Sequence, residues 1–296
     1  MNESDFIAAL RTLPLHPGAR GLRDDAAVFE IGGETLVLTH DMIAEGIHYL
    51  RGTDLADVAW KLVAVNLSDL AAKGATPIGV LLGACLSDDS PRFVEGLRGI
   101  LAAYDVPLLG GDTIGLTPGA DKVFGCTAIG RATGPVPSRA GAVPGDALWV
   151  TGVIGAAMLG CESARAGQTR TPDQDAYFRP VPRLAEGRAL APSVHAMCDV
   201  SDGLLLDARR IAEASGCTVA IDLSAIPFAA GLRDADAARR IGAASWGDDY
   251  ELLFTAPADF VPPITATRVG HFADSGPAPL LLDGAPPPGP MGYEHR

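Results

Sequence analysis

We predict that this chain folds as a mixed α/β (α+β) protein with two domains. Short apolar runs alternate with segments of helical periodicity in both halves of the sequence, which is typical of such folds. With 296 residues, of which 48% are hydrophobic, the chain is long enough for two cores. Gly134, Pro135 and Pro137 interrupt the pattern. We therefore place the boundary between an N-terminal domain, residues 1–136, and a C-terminal domain, residues 137–296.

The sequence pattern of the N-terminal half predicts strands and helices that end at polar residues. Residues 34–39 (ETLVLT) form a β-branched apolar run, which predicts a strand that delivers Asp41 at its end. The following segment has helical periodicity, with Asp54 as its N-cap and Gly74 as its stop. Beyond it the pattern predicts a strand at 78–86, a helix at 91–104, a strand at 106–109 and a strand at 123–129.

The C-terminal half repeats the mixture of strands and helices. The pattern predicts a strand at 147–151, a helix at 155–166, a polar loop to 182, a helix at 183–190, a strand-like run into Asp199, a helix after the Ser-Asp-Gly turn, and strands at 219–223 and 252–255. The tail from 276 to 290 is rich in Pro and Gly.

Charge and cysteine content exclude several classes of protein. With 36 acidic and 23 basic residues the net charge is −13, and no Lys/Arg-rich patch is present, so we predict no binding to nucleic acid or to anionic membranes. No apolar stretch approaches the length of a membrane span. The five cysteines are odd in number and form no CxxC pair, which indicates reduced core thiols and a cytoplasmic enzyme.

Carboxylates recur at the ends of apolar runs, often beside glycine. They are Asp24, Asp25, Asp41, Asp69, Asp112, Asp199, Asp202, Asp248 and Asp249. Carboxylates that converge on half-buried positions need cations to offset their repulsion and desolvation. Mg²⁺ takes oxygen ligands, usually from one or two carboxylates and from substrate phosphates. The pattern therefore predicts a divalent-metal site that handles phosphates.

Each acidic motif also has a plainer interpretation. Asp69 lies in the middle of an apolar helix, where aspartate is disfavoured, but it could form a structural pair with Lys73 one turn later. In Asp199-Val-Ser-Asp-Gly, Ser201 or Asp202 could simply cap the next helix. Gly110-Gly-Asp-Thr could bring backbone N–H groups to a phosphate or could be an ordinary turn.

Other polar residues are weaker candidates for a site. Arg139 could contact a nucleotide phosphate, and His48 lies beyond Asp41 in an irregular segment, although both types of residue are often merely exposed. Trp246 and Asp248 combine an aromatic face with a carboxylate, or else are a core tryptophan and a surface acid. The P-loop, the protein-kinase signatures, HExxH and GxSxG are missing from the sequence, so any ATP chemistry must use metals and scattered loops.

The acidic motifs, taken in order, resemble those of the thiamine-monophosphate kinase family over nearly the whole chain. They are Arg23-Asp-Asp-Ala-Ala, Thr39-His-Asp, Asn66-Leu-Ser-Asp-Leu-Ala-Ala, Gly110-Gly-Asp-Thr, Ser138-Arg-Ala-Gly-Ala-Val-Pro-Gly-Asp, Asp199-Val-Ser-Asp-Gly and Gly247-Asp-Asp-Tyr-Glu-Leu. The resemblance implies the two-domain aminoimidazole ribonucleotide synthetase-like fold. It also implies a homodimer in which the N-terminal sheets pair into a barrel.

The same resemblance implies ATP-dependent conversion of thiamine monophosphate to thiamine diphosphate with several Mg²⁺ ions. Carried over by motif, the metal ligands are Asp25, Asp41, Asp69, Asp112, Asp199 and Asp202, with His40 at a further metal position. The ATP site would use Tyr104, Gly111, Asp112, Arg139 and Ser201, and thiamine monophosphate would contact His48, Asp248 and Tyr293. Trp246 would complete an acidic, aromatic pocket for the cationic substrate. Asp69, Asp202 and Arg139 would carry the phosphoryl transfer.

The sequence departs from the family pattern at four positions. The family usually has glycine at Arg23, threonine at His40, methionine at Lys73 and glutamate at Asp248. His40 would change a metal's coordination if the threonine hydroxyl is the ligand, and Lys73 would place a cation near Asp69. Two other functions stay open: a related ATPase with another small acceptor, and a regulator that binds Mg-ATP without turnover.

Overall fold

A computed structural model describes residues 3–295 of the chain. Its N-terminal half contains a 3₁₀ helix at Pro17–Leu22, three α-helices and five strands, and the α-helices and strands are α1 (Glu3–Leu10), β1 (Ala27–Ile31), β2 (Glu34–Ala44), α2 (Leu55–Ala72), β3 (Thr76–Leu86), α3 (Ser90–Tyr104), β4 (Leu108–Gly115) and β5 (Val123–Ala132). The strands form one sheet in the order β1-β2-β5-β3-β4, in which β3 and β4 are parallel and the other pairs are antiparallel.

The C-terminal half builds a second, six-stranded sheet. Its elements are β6 (Ala147–Val150), α4 (Ala156–Arg165), α5 (Pro172–Phe178), α6 (Leu184–Leu190), β7 (Ala196–Asp199), α7 (Leu204–Ser215), β8 (Thr218–Ile221), α8 (Ala237–Ala244), β9 (Leu252–Ala256), β10 (Thr267–Ala273) and β11 (Leu280–Leu282). The strand order is β11-β8-β10-β6-β9-β7. The mixed α/β fold is thus confirmed, whereas the boundary at 136/137 stays a prediction.

Helix α2 is the central helix of the molecule. All of its residues except Trp60 are buried. The Asp54 carboxylate accepts a hydrogen bond of 3.0 Å from the Ala56 N–H at its start, and Gly74 follows its end with φ of +61°. Both ends therefore match the sequence prediction, because an Asx cap and a left-handed glycine are strong local signals.

One apolar core joins the two halves through α2. Leu67 belongs to the same core as Leu184 of α6, Met197 of β7 and Phe254 of β9. The backbones also approach closely, since a Cβ added at Gly187 of α6 would lie 1.9 Å from the Ala71 carbonyl oxygen. Helix α2 therefore packs against elements of both halves, and its side chains can contact both halves of the chain.

Several elements differ from the sequence prediction. Strand β2 continues through Asp41 to Ala44, and β4 contains Gly110 and Gly111 rather than ending before them. An added Cβ at Gly111 would lie 2.0 Å from the Leu82 carbonyl oxygen, so glycine allows this close strand pairing. Helix α5 lies in the segment predicted as a polar loop, and its Thr171 cap was an available signal.

The elements α1, α8, β10 and β11 were not predicted at all. Helix α8 is only eight residues long, and β10 is interrupted by Gly270, so neither has a long periodic pattern. None of the helices formed by residues 3–295 has the length and apolar character needed to cross a membrane.

Candidate active site

A cavity of about 1,090 Å³ lies between the two halves. Its walls come from α1, the β1 and β2 region, α2, the loop before α7, the segment before β9 and the C-terminal tail. The predicted site residues in its lining are Asp25, Asp41, His48, Asp69, Arg139, Asp199, Ser201, Asp202, Trp246, Asp248 and Tyr293. Residues far apart in sequence therefore share one site.

Three carboxylates converge in this cavity. One oxygen each of Asp25, Asp69 and Asp199 lies within 4.8 Å of the others. Asp25 precedes β1, Asp69 projects from α2 and Asp199 ends β7, so both halves contribute. The Ser68 hydroxyl donates to Asp199 Oδ2 at 2.6 Å, whereas Asp199 Oδ1 is buried without a hydrogen-bond partner in residues 3–295. An all-oxygen donor set with a free buried oxygen fits a hard cation such as Mg²⁺.

The pKa values of these acids show how crowded the carboxylates are. Burial, together with Asp41, Asp199 and Asp25, raises the pKa of Asp69 well above its ordinary value. Burial and Asp25 likewise raise the pKa of Asp199. Burial raises the pKa of Asp41 to about 6. The cluster therefore favours either protons or added cations over bare negative charge.

Two basic side chains already contact the cluster. Arg139 Nη2 lies 2.6 Å from Asp25 Oδ1, and Lys73 Nζ lies 2.6 Å from Asp25 Oδ2. Lys73 Nζ also lies 2.5 Å from Asp24 Oδ1. Although burial lowers the pKa of Lys73, the Asp25 and Asp24 carboxylates raise it more, so the ammonium is charged. The ion pairs of Lys73 within the described chain are thus with Asp24 and Asp25, not with Asp69.

The turn before α7 brings further groups to the cavity. Arg210 forms ion pairs with Asp202 and Asp207. Helix α7 has Gly203 at its N-cap position, with no side-chain cap hydrogen bond, so the interpretation of Ser201 or Asp202 as a simple cap is wrong. The backbone of this turn accepts hydrogen bonds from the Asp248 N–H at Ser201 and from the Tyr293 N–H at Asp202, at 2.8 and 2.9 Å.

The part of the cavity around Asp248 and Tyr177, called its far end below, combines charged and aromatic side chains. Lys61 of α2 is 2% exposed, and its Nζ lies 2.7 Å from Asp248 Oδ2 and 4.2 Å from the centre of the Tyr177 ring. It also donates to the His48 carbonyl oxygen at 3.0 Å. Asp248 adopts a positive φ of +60°, an uncommon conformation for a non-glycine residue that is typical of functional sites.

Sequence reasoning missed Lys61, Tyr177 and Arg210 as residues of this site. A signal existed for the first, because Lys61, Val65 and Asp69 recur every four residues on one face of α2 and all three belong to the cavity wall or its contacts. Tyr177 lies in α5, which was predicted as loop. Arg210 is one of two adjacent arginines in α7, and its ion pairs with Asp202 and Asp207 depend on the fold.

Four predicted site residues lie outside this cavity. His40 is exposed on β2, and its Nδ1 lies 2.8 Å from Thr127 Oγ1. Tyr104 packs the edge of its ring against Trp60, at 6.3 Å between ring centres. Gly111 and Asp112 lie on β4, which is exposed along its whole length. Within one chain these residues do not join the carboxylates, and their functional roles stay predictions.

Comparison with known proteins gives a consistent family assignment. The family described as "AIR synthase related protein, N-terminal domain" matches residues 23–132, and "AIR synthase related protein, C-terminal domain" matches residues 143–260. The chain is 38% identical over 254 residues to the thiamine-monophosphate kinase of Salmonella typhimurium, covering 80% of this chain and 76% of that protein. It is 40% identical over 273 residues to that of Caulobacter vibrioides, covering 85% and 76%.

Solved structures agree with these sequence relatives. The structure described as "AaThiL complexed with AMPPCP and TMP" superposes with a TM-score of 0.87 at 26% identity, covering 100% of this chain and 97% of that one. The thiamine-monophosphate kinase of Stenotrophomonas maltophilia K279a superposes with a TM-score of 0.77 at 34% identity, covering 95% of each chain.

Proposed function

The chain belongs to the thiamine-monophosphate kinase family within the AIR synthase related proteins, and from this we propose that it phosphorylates thiamine monophosphate to thiamine diphosphate with ATP. A structural relative described with AMPPCP, an ATP analogue, and TMP together supports both substrates. The observation that carries the proposal is the convergence of Asp25, Asp69 and Asp199 in a cavity large enough for both ligands. The five cysteines are free thiols, in keeping with a cytoplasmic enzyme.

We propose that the carboxylates of the cluster would hold Mg²⁺ in this cavity. Bound Mg²⁺ would neutralise charge on the transferring phosphoryl group. Asp69 and Asp199 would be the principal ligands because no basic side chain within residues 3–295 forms an ion pair with them, and Asp25, Asp41 and Asp202 line the same cavity. The cluster thereby positions two anions that would otherwise repel each other.

The acceptor needs no strong general base from the protein. Its phosphate has a second pKa of about 6 and is largely deprotonated at neutral pH. Phosphoryl transfer therefore depends on in-line positioning and charge neutralisation. We assign Arg139 to the transferring phosphoryl group because its guanidinium already lies beside Asp25 in the cavity wall. Ser201, in the turn before α7, is assigned to the ATP side.

We propose that thiamine monophosphate occupies the far end of the cavity. Asp248, Trp246 and Tyr293 offer a carboxylate and two aromatic faces, which suit a cationic thiazolium ring. His48 lines the same end, and burial lowers its pKa, so the imidazole is neutral at neutral pH and can hydrogen-bond without adding charge.

The product test decides the proposed function. The full-length protein is mixed with Mg-ATP and thiamine monophosphate, with controls that lack each component, and the products are separated. Thiamine diphosphate formed in equal amount to ADP is the expected result. ADP without thiamine diphosphate would instead indicate another acceptor, and binding of ATP without ADP would indicate a regulator.

Replacement of Asp248 by Asn tests the acceptor site. The change removes a carboxylate near the proposed thiazolium position but keeps an oxygen for Lys61, so folding should be retained. We expect KM for thiamine monophosphate to rise about tenfold while KM for ATP stays within about twofold. Asp274→Asn, at an exposed position outside the cavity, is the control. A larger change in KM for ATP would contradict this placement.

We also propose a homodimer formed through β4, the exposed edge strand of the N-terminal sheet. Strand β4 is an exposed edge strand, and Leu108, Leu109 and Ile114 on it are 50%, 49% and 58% exposed. An edge strand with exposed apolar residues is a template for pairing with another chain. A second copy would cover this surface, and its own Gly111 and Asp112 would then lie in the interface.

Replacement of Ile114 by Asp tests this dimer. A charge in an apolar interface is costly, so we expect the variant to elute as a monomer with the mass of one chain, measured by light scattering. Val261→Asp is the matched control, because Val261 is 83% exposed in the C-terminal half. A dimeric Ile114 variant, or a monomeric wild-type protein, would overturn the assignment.

A further inference from the structure

Lys73 is a fully buried lysine in the wall of the carboxylate cluster. Its side chain has no exposed area, and its Nζ lies 2.5 Å from Asp24 Oδ1 and 2.6 Å from Asp25 Oδ2. Lys73 Nζ also donates a hydrogen bond of 3.1 Å to the carbonyl oxygen of Met197, which belongs to the C-terminal half. The ammonium therefore has a fixed position defined by three oxygens.

This arrangement of oxygens resembles that around a bound cation. Lys73 Nζ contacts two carboxylates and a backbone carbonyl, which are also ligand types of hard metal ions. Both oxygens of Asp25 are paired with chain cations, since Arg139 occupies Oδ1 and Lys73 occupies Oδ2. A divalent ion that uses Asp25 must therefore share its carboxylate with two positive groups.

The consequence for metal binding follows from the electrostatics. A positive charge beside the cluster repels an incoming divalent ion and weakens the attraction of Asp25 for it, and burial reduces the screening of both effects. The same charge stabilises Asp24 and Asp25 when no metal is bound. Lys73 thus lowers the affinity of the cluster for divalent ions, and it stabilises the cluster when no metal is bound.

We propose that Lys73 is a built-in counter-cation that lowers the affinity of the carboxylate cluster for divalent ions and stabilises the cluster when metal is absent. Lys73 is a positioning residue, because it touches Asp24 and Asp25 rather than a substrate. The inference rests on the proposed function only in assigning divalent ions to these carboxylates. A chain that made no thiamine diphosphate could still bind metal in this way.

The test is a Mn²⁺ titration of the full chain without nucleotide or thiamine monophosphate. The concentration of free Mn²⁺ is measured at each step by electron paramagnetic resonance. We expect Lys73→Met to bind Mn²⁺ about tenfold more tightly than the wild-type protein, which corresponds to a change of about 1.4 kcal/mol. Lys73→Arg keeps the charge and should stay within about twofold of wild type. Thermal melts in EDTA should show a lower Tm for Lys73→Met, with a larger recovery on adding Mn²⁺.

Lys61→Met is the matched control. Lys61 is a second buried lysine on α2, but its ion pair is with Asp248 rather than with the cluster, so its loss should leave Mn²⁺ affinity unchanged. If Lys73→Met does not fold, Lys73→Gln is the neutral variant to test, because an amide can still donate to Asp24 and Asp25 but carries no charge. Unchanged or weaker Mn²⁺ binding in the folded neutral variant would overturn the proposal, as would equal tightening in Lys61→Met.

Discussion

Replacement of Asp69 by Asn is expected to lower kcat by about 10³-fold while leaving the protein folded. Asp69 lies at the centre of the cluster, where its carboxylate converges with Asp25 and Asp199. An amide can accept the hydrogen bond from Thr39 but cannot supply the negative charge that a divalent ion needs. Because the pKa of Asp69 is raised by burial and neighbouring acids, its neutral replacement should melt at the same or a higher temperature in EDTA.

The matched control for this variant is Asp57→Asn on the same helix. Asp57 is buried too, but it pairs with Arg170 and Arg179 outside the cavity. We expect that variant to keep kcat within about twofold and to lose about 1–3 kcal/mol of stability, because two arginines lose a charged partner. Turnover near the wild-type rate in folded Asp69→Asn would contradict the assignment of Asp69 as a metal ligand.

The second large effect is a pH-dependent stabilisation by Mg²⁺. The folded-state pKa values of Asp69, Asp199 and Asp41 lie above their unfolded values, that of Asp41 at about 6. From about pH 4 upwards these three acids therefore hold more protons in the folded chain than in the unfolded chain, and their contribution to metal-free stability is lost as the pH rises through these folded-state values. If Mg²⁺ binds the deprotonated acids as proposed, its stabilising effect should grow over the same range.

Calorimetry with Mg²⁺ or EDTA at about pH 5 and about pH 8 measures this difference. We expect the increase in Tm on adding Mg²⁺ to be larger at the higher pH by about 5 °C. NaCl at matched ionic strength controls for general screening. An equal shift at both pH values would mean that protons and Mg²⁺ do not compete for these carboxylates.

The elements that the sequence predicted well are those with strong local signals. Helix α2 combines apolar periodicity, the Asp54 cap and Gly74, and all three are short-range features. Strand β4 was predicted to end before its glycines, because Gly110 and Gly111 read as a turn when their strand partner is unknown. Only the pairing with β3, where Leu82 closely approaches Gly111, explains why glycine stands inside a strand.

The sequence identified many of the residues that share the cavity, but not the contacts that they make there. Acidic residues at the ends of apolar runs indicated a cation site, and eleven of the predicted residues line one cavity. The partner of Lys73 was not predictable from spacing. Lys73 follows the last helical residue, Ala72, so the usual contact between residues four apart on a helix does not determine where its side chain points. Its partner Asp25 is distant in sequence and is brought there by the fold.

The shared core around α2 also has a consequence for how the chain folds. Leu67 in the first half packs into one core with Met197 and Phe254 in the second, although the two family matches divide the chain between them. Separated halves would expose that core to water, so unfolding should be cooperative across the sequence and synthesis must pass beyond β9 before α2 is fully buried. The carboxylates of Asp69 and Asp199 come together in that same late event, so the metal binding proposed above would be possible only after both halves have folded.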